Sequence, residues 1–366
     1  MISIDRNRLL ATMNTLQKVV QGTRSSLPVL EYALFTPVEN GVRISATDIE
    51  IYATVTCEAE LGNYADRFTV PAKKLADACK AMAANLPVKL DIHNERVVVS
   101  SGQTKYKIPT LPADNFPSDS WSEVTGSFLI PANKLKAMLA DCMDSMGKND
   151  ARYYLNGICL HTEGEQLNVV ATDGHRLAVS EFTLVEPPEH KIIITSKLAH
   201  ILCRELPTSE DPVRVEFGCG FCRVKWSDWV VSGKLIDGVY PDYRRVIPAN
   251  QPHTALIDNT EVRSLLQRVM VLREGSKNFG IKLTLAAGKL EIETPQSTSN
   301  YFSDNMPIDF QGNDMVMGID AGYLYSALNA LDCERVMLEF TDGLSSLLLR
   351  DPEDTKRLHV IMPMRL

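Results

Sequence analysis

The 366-residue sequence lacks the marks of several common protein classes. No apolar run approaches the roughly 18 residues that cross a bilayer. The N-terminal stretch is interrupted by Asp5, Arg6 and Arg8, which argues against a secretory signal. The eight cysteines are scattered along the chain, unlike the dense disulfide framework of a small secreted domain. We therefore expect a cytoplasmic protein with no membrane association.

Motifs for catalysis and cofactor binding are also missing. There is no G-x-x-x-x-G-K-[ST] loop for an ATPase and no G-x-S-x-G nucleophile motif. The acidic residues are dispersed, whereas a metal-dependent nuclease needs them clustered. Cys219 and Cys222 could form half a zinc site or a redox pair, and Asp173 and His175 an acid–base pair. Both pairs lie in turn sequences without further motif residues, so we predict no catalytic residue, metal or cofactor.

A threefold internal repeat is the dominant feature that the sequence does contain. Each copy has alternating apolar and polar residues on both sides of a short turn, which is typical of a β-hairpin. The copies are offset by 125 and 123 residues: VKLDIHNERVVVS from Val88, VRVEFGCGFCRVKW from Val213 and VMLEFTDGLSSLLLR from Val336. Gly41 and Gly164 begin a second pair of similar segments, which share Ala-Thr-Asp at the turn.

A strand followed by a helix recurs six times. Each helical pattern begins near a residue suited to a helix cap or first turn: Asp5, Pro71, Pro131, Ser196, Asp258 and Asp320. Proline-rich stretches at 110–121 and 239–252 separate the repeats. The sequence thus predicts an α+β fold of three repeated domains, 1–125, 126–251 and 252–366, each with two helices packed on antiparallel sheets.

Positive charge is scarce overall and is concentrated in these helices. The chain carries 38 Lys and Arg against 46 Asp and Glu, a net charge of −8. The six helical segments have a basic excess, although the last is acidic, and the rest of the chain is strongly acidic. A common anionic partner of the helices is indicated, and duplex DNA fits, because phosphate contacts need no base recognition. No motif for sequence-specific recognition is present.

Repeated domains also leave unpaired sheet edges. Pairing along the chain covers the internal edges, and head-to-tail joining of chains covers the terminal ones. A closed ring with basic helices inside is therefore one arrangement that the repeats favour. A monomeric peptide-binding scaffold without a DNA role, and a metal-dependent DNA-processing enzyme, are the alternatives.

Several segments together resemble the bacterial DNA sliding clamps, the β subunits of the replicative DNA polymerase III holoenzyme. They are ARYYLNGI (151–158), ATDGHRLAV (171–179), LIDGVYPDYRRVIP (235–248) and VIMPMRL (360–366). The resemblance implies a non-catalytic processivity factor: a homodimeric ring that encircles duplex DNA without sequence specificity. The partners implied are the replicative polymerase, a clamp loader and other replication and repair proteins that carry short clamp-binding peptides.

The resemblance also implies three sets of site residues. The DNA-binding set is Arg24, Lys73, Asn149, Tyr153, Tyr154 and Lys197. The peptide-binding set is Leu155, Thr172, Gly174, His175, Arg176, Leu177, Pro241, Arg245, Val246, Tyr323, Ser346, Val360, Met362, Pro363, Met364, Arg365 and Leu366. The dimer-interface set is Lys74, Tyr106, Ile108 and Leu272. Clamps often have an acidic run near 296–304, whereas this chain has QSTSNYFSD, which argues against a salt-bridged interface.

Overall fold

The computed structural model describes residues 1–20, 27–62, 66–93, 95–119, 121, 123–273, 279–295 and 300–365. Arg24 and Leu366, expected in the DNA-binding and peptide-binding sets, lie outside these ranges. The chain folds into two compact units. Unit 1 comprises Met1–Asn133 and Arg204–Leu235, and unit 2 comprises Lys134–Cys203 and Ile236–Leu366.

The described ranges contain six α-helices and twenty-four strands. The helices are α1 (Arg6–Val20), α2 (Ala72–Ala81), α3 (Ala132–Met143), α4 (Ser196–Glu205), α5 (Asn259–Met270) and α6 (Ala321–Leu331). The strands of the first half are β1 (Ile2–Ile4), β2 (Tyr32–Val38), β3 (Gly41–Thr47), β4 (Ile51–Cys57), β5 (Phe68–Pro71), β6 (Val88–His93), β7 (Arg96–Ser101), β8 (Thr104–Pro109), β9 (Val124–Pro131), β10 (Gly157–Glu163), β11 (Gln166–Thr172) and β12 (Arg176–Thr183). Those of the second half are β13 (His190–Thr195), β14 (Pro212–Gly218), β15 (Phe221–Trp226), β16 (Trp229–Lys234), β17 (His253–Asp258), β18 (Gly280–Ala286), β19 (Lys289–Glu293), β20 (Ser303–Pro307), β21 (Met315–Asp320), β22 (Arg335–Phe340), β23 (Leu347–Arg350) and β24 (Arg357–Ile361).

Helix starts follow the capping residues in the sequence. The carboxylate of Asp5 accepts a hydrogen bond from the Arg8 backbone N–H at 2.8 Å. Asp258 and Asp320 do the same for the third residue beyond them, at 2.7 and 2.9 Å. Each bond satisfies a donor that the first helical turn leaves unpaired. None of the helices in the described ranges is long and apolar enough to cross a membrane.

Each unit contains one eight-stranded and one four-stranded sheet, and every strand pair is antiparallel. In unit 1 the strand orders are β5-β2-β3-β4-β16-β15-β14-β9 and β1-β6-β7-β8. In unit 2 they are β13-β10-β11-β12-β24-β23-β22-β17 and β20-β19-β18-β21. The expected α+β class with antiparallel sheets is confirmed. The predicted domain boundaries at 125 and 251 stay a prediction.

The two eight-stranded sheets are joined in equivalent ways. In one, β4 of the first repeat pairs with β16 of the second, and Ala53 lies opposite Val231. In the other, β12 of the second repeat pairs with β24 of the third, and Ala178 lies opposite His359. The counterparts of these strands in the remaining repeats are β20 and β8, and each is the outermost strand of a four-stranded sheet.

A buried ion pair fixes α3 to β24 within unit 2. Asp141, 5% exposed, receives two hydrogen bonds from the Arg357 guanidinium, at 2.9 and 2.7 Å. Ser180 donates a third at 3.0 Å, and Arg357 also donates to the Ala330 carbonyl in α6. Burial raises the pKa of the Asp141 carboxyl, while Arg357 and Ser180 oppose that rise. Both Asp141 oxygens and the Nε and Nη2 groups of Arg357 therefore have hydrogen-bond partners.

We expect Asp141→Ala to lower the free energy of unfolding by about 3 to 5 kcal/mol, because it leaves the Arg357 charge buried without its partner. Urea denaturation followed by circular dichroism measures this change. Adding Arg357→Met should recover most of the loss. Lys289→Ala, which breaks the partly exposed 3.2 Å pair with Glu291, should cost less than about 1 kcal/mol. Equal losses for Asp141→Ala and Lys289→Ala would contradict this assignment.

Candidate peptide-binding site

The turn between β11 and β12 is shaped by two side chains. Thr172 Oγ1 donates to the Arg176 carbonyl at 2.6 Å and accepts from the Gly174 N–H at 3.1 Å. Asp173 Oδ1 accepts from the backbone N–H groups of His175 and Arg176, at 2.9 and 3.1 Å. Gly174 has a φ of +87°, which disfavours any residue with a Cβ. The turn therefore leaves Gly174 and His175 exposed, and Asp173 serves the backbone rather than the His175 ring.

Arg176 is held from three sides at the edge of this turn. Its Nε donates to Asp173 Oδ2 at 3.1 Å, and its Nη1 donates to Ser326 Oγ at 2.6 Å. Its guanidinium lies 4.4 Å from the centroid of the Tyr323 ring. The His175 ring stacks on the same tyrosine with centroids 6.5 Å apart and 22° between planes. Tyr323 on α6 is thus fixed against the β11–β12 turn.

The C-terminal segment runs beside the turn. Leu177 in β12 lies opposite Val360 in β24. The Met362 N–H donates to the His175 carbonyl at 2.9 Å, and the Met364 N–H donates to the Gly318 carbonyl at 2.8 Å. Residues 362–364 are therefore held along the edge of the site by backbone bonds.

A buried apolar cluster forms the floor. It includes three expected site residues, Leu155, Leu177 and Val360, each 2% exposed. Tyr240 and Tyr243 of the connector after β16 pack into the same cluster. This anchoring leaves the expected residues between and after them exposed at the surface: Pro241, Arg245 and Val246. Ser346, half-buried, directly precedes Leu347, which lies opposite Ile361.

These groups form an apolar surface with a basic rim. Met362 and Val246 are 40% and 42% exposed, and Arg365 is exposed. Unbranched methionine adapts to varied apolar side chains, and arginine can bind carbonyl or carboxylate groups of a ligand. The arrangement suits binding of an extended peptide with apolar anchors.

The other two expected sets are distributed over both units, and one member of them, Tyr154, packs against the apolar floor of this site. In unit 1, Lys73, Lys74 and Tyr106 are exposed and Ile108 is buried. Unit 2 holds the remaining described members, namely Asn149, Tyr153, Tyr154, Lys197 and Leu272. Tyr153 is 57% exposed and contacts Tyr154 edge-on, with ring centroids 5.8 Å apart.

Four residues that the sequence did not assign to the site also build it: Asp173, Ser326, Tyr240 and Tyr243. Asp173 was detectable, because Thr-Asp-Gly is a sequence that favours side-chain-bonded turns. Ser326 follows Tyr323 by one helical turn, so it shares a helix face with a predicted site residue. Its bond to Arg176 spans 150 residues and leaves no local signal.

Three family models match consecutive parts of the chain. They are the N-terminal, central and C-terminal domains of the DNA polymerase III beta subunit, matched at residues 1–120, 129–242 and 244–365. The chain belongs to the DNA polymerase III beta subunit family. It is therefore a non-catalytic sliding clamp of three α+β domains that serves as a processivity factor in DNA replication. The resemblance seen in the sequence is confirmed.

Curated relatives and solved structures agree over the full length. The beta sliding clamps of Escherichia coli K12 and Haemophilus influenzae are each 32% identical to the chain, and each alignment covers 100% of this chain and 99% of the relative. The DNA polymerase III subunit beta of Pseudomonas aeruginosa superposes with a TM-score of 0.94 at 29% identity, covering 100% of both chains. A P. aeruginosa sliding clamp bound to griselimycin also gives 0.94, at 28% identity, with 100% of this chain and 99% of that chain covered.

His359 lies behind this site in the middle of β24. It is 3% exposed, and the equivalent residue of the second repeat is the apolar Val231. Burial, together with the charges of Arg357 and Arg176, lowers the pKa of the His359 imidazole to about 3. The folded protein therefore holds a neutral ring that the unfolded chain would protonate near pH 6.5.

We expect this histidine to make the clamp less stable in acid. The contribution of the neutral His359 ring to the free energy of unfolding is constant above about pH 6.5. As the pH falls from 6.5 towards 3, this contribution decreases by up to about 1.4 kcal/mol per pH unit. His359→Leu should reduce the stability difference between pH 7 and pH 4.5 by about 2 to 3 kcal/mol, measured from urea midpoints. The same difference in both proteins would show that His359 is not the group responsible.

Proposed function

We propose that two copies of this clamp join head to tail into a closed ring around duplex DNA. Partner proteins then bind through short peptides at the site formed by β12, α6 and residues 360–365, and a separate loader opens the ring. The protein would act in DNA replication in the cytoplasm. The observation that carries the ring is that β8 and β20 are outer strands, whereas their counterparts in the other repeats are paired.

The repeats also specify a register for this joint. Transferring the β4–β16 and β12–β24 pairings onto the remaining strands sets Tyr106 opposite Phe302 of the second copy. It also sets Ile108 opposite Asn300. Tyr106 is 36% exposed and the neighbouring Tyr301 is 66% exposed, so aromatic surface is available on both strands. A third eight-stranded sheet would result and would remove two unpaired edges.

The joint would depend little on ion pairs. In the same register, Lys105 and Lys107 face Ser303 and Tyr301, neither of which is acidic. The nearby acid, Asp304, is already bonded to Arg268 of its own chain, at 2.8 and 3.0 Å. Apolar contacts and backbone hydrogen bonds would therefore hold the ring, and added salt would weaken it only slightly.

DNA contact is assigned to the helix side of each domain. Lys73 and Lys80 are exposed on α2, while Leu75 and Cys79 of the same helix are buried. On α4, His200 and Arg204 are exposed beside the buried Leu198. Helices that bury one face and offer lysine and arginine on the other can hold phosphates without reading bases. The expected contacts Lys73, Asn149, Tyr153, Tyr154 and Lys197, with Arg24, belong to this proposal.

Three domains with boundaries at 125 and 251 also belong to this proposal. The first boundary lies between two matched family models, and the second lies within the C-terminal model, which begins at residue 244. The griselimycin-bound relative supports a ligand site in this family. The proposed occupant of that site here is a short linear peptide with apolar residues, carried by the polymerase or a repair protein.

Removal of Arg365 and Leu366 should lower the affinity for a clamp-binding peptide at least about tenfold, because it takes away the exposed Arg365 beside residues 362–364 at the edge of the site. Fluorescence polarisation with a labelled peptide from the polymerase of the same organism measures it. The control Lys289→Ala lies on β19 and should bind normally. Unchanged affinity in the truncated clamp would refute the assignment of this edge.

Tyr106→Asp should convert a particle of about twice 40.7 kDa into one of 40.7 kDa in light scattering, because it places a charge in the proposed joint. Lys282→Ala, on the paired strand β18, is the control and should leave the mass unchanged. The wild-type ring, loaded on circular DNA, should be released when the DNA is linearised. A monomeric wild-type protein would favour the peptide-binding scaffold instead, and retention on linear DNA would exclude threading.

A further inference from the structure

One outward sheet face in unit 1 carries positive charge on an otherwise acidic chain. Register places Lys89, Ser100 and Lys105 in one row across β6, β7 and β8, and Asp91, Val98 and Lys107 in the next. Arg96 lies in the third row beside His93. The opposite face of the same strands is buried, with Leu90 and Val97 at its centre. Lys89, Arg96, Lys105 and Lys107 are all exposed, and together they are called the basic face.

Within the ranges that the structure describes, the basic face has no acidic partner. Among the described residues, none of its four cations forms a hydrogen bond or ion pair. Asp91, the acid within the rows, is bonded to His93 Nε2 at 2.8 Å and lies 3.9 Å from the Met1 amine. Three strands therefore present four cations without an acidic partner and one acid that already bonds to His93 and lies near the Met1 amine.

The other repeats show that this is a specific difference. The acid equivalent to Asp91 is Glu216 in the second repeat, and it pairs with Arg223 at 3.4 Å and Lys225 at 2.7 Å. In the third repeat the equivalent acid, Glu339, lies 3.8 Å from Arg350.

The first repeat has Val98 and Ser100 where the second has Arg223 and Lys225. Of its four cations, Lys89 corresponds to Arg214 of the second repeat, whereas Arg96 lies at the start of β7 and Lys105 and Lys107 lie on β8. The four-stranded sheet of unit 2 is also neutralised, since Lys282 pairs with Glu293 at 2.9 Å and Lys289 with Glu291.

We propose that the basic face binds the sugar-phosphate backbone of a nucleic acid, as a second contact separate from the helices. Residues two apart on a strand lie roughly 7 Å apart, and strands lie about 4.8 Å apart, so the face measures roughly 14 by 10 Å. DNA has a phosphate every 3.4 Å or so along each strand, and such a face can contact about three of them. Lysine and arginine contacts to phosphate carry no sequence information, so this binding would not depend on sequence.

The proposed dimer joint would leave the basic face uncompensated. Lys105 and Lys107 would lie opposite Ser303 and Tyr301 of the second copy, and Lys89 is two strands away from the joint. The face therefore stays available whether the chain is single or in a ring. Its binding to a short oligonucleotide needs no threading, which separates this inference from the proposed function.

The test is binding of a labelled duplex and a labelled single strand of about 20 residues to the full chain, followed by fluorescence anisotropy over a range of salt. The variant is Lys89→Gln, Lys105→Gln and Lys107→Gln together. We expect its affinity at low salt to fall about tenfold or more. The slope of log K against log salt should become shallower by about 2 to 3, since each lost phosphate contact removes about 0.9 for duplex DNA.

The matched control is Lys282→Gln with Lys289→Gln, which removes paired lysines from the other four-stranded sheet and should change affinity less than twofold. Light scattering and thermal unfolding of the triple variant must match those of the wild type. Lys89→Gln alone, which is remote from β8, should change the slope of log K against log salt by about 1. An unchanged salt slope in the triple variant would overturn the proposal. So would selective loss of binding to a poly-glutamate peptide, which would identify an acidic protein segment as the occupant.

Discussion

Antiparallel pairing between a strand of one repeat and the last strand of the next is the constraint on which this structure depends. Each repeat alone would expose a row of unpaired backbone N–H and C=O groups on a long edge, and such an edge invites uncontrolled association. The β4–β16 and β12–β24 joints remove two of these edges within the chain. The second joint also creates the candidate peptide-binding site, because it sets the β11–β12 turn beside the residues that follow β24. The site is a by-product of closing a sheet.

Local sequence predicted much of the fold and less of the site. Hairpins, helix caps and the three repeats are encoded over a few residues, so Asp5, Asp258 and Asp320 could be assigned before the structure. Pairing between repeats could be expected, but its strands and register could not, since β12 and β24 are separated by about 180 residues and many strands have compatible patterns. The same limit applies to Arg357 with Asp141. Burial of a charge pair depends on the three-dimensional arrangement, which local patterns do not specify.

The same limit applies to charge: the sequence gives the total charge of each segment, but which charges are paired depends on the fold. Counting the charges in each segment distinguishes the basic helices from their acidic surroundings. Such a count does not show which charges within the sheets are paired. The sheets differ, because what matters is whether an acid lies across the strand from each cation. Glu216 and Lys225 form an ion pair with no net charge, whereas Lys105 lies opposite the uncharged Ser100 and keeps its positive charge unpaired. Within a sheet, a positive field that attracts a polyanion arises from cations that lie opposite uncharged residues.

In the proposed ring the three equivalent joint positions carry different side chains, and the difference follows from what each joint would have to do. Val231 and His359 are both buried at joints within one chain, where connectivity already keeps the strands close and even a neutral histidine is tolerated. Tyr106 occupies the position on the free strand. A joint between separate chains must also offset the loss of translational and rotational freedom on association, which costs several kcal/mol. A large aromatic residue supplies more buried area there than valine could, and its partial exposure in the single chain keeps that surface available until the joint forms.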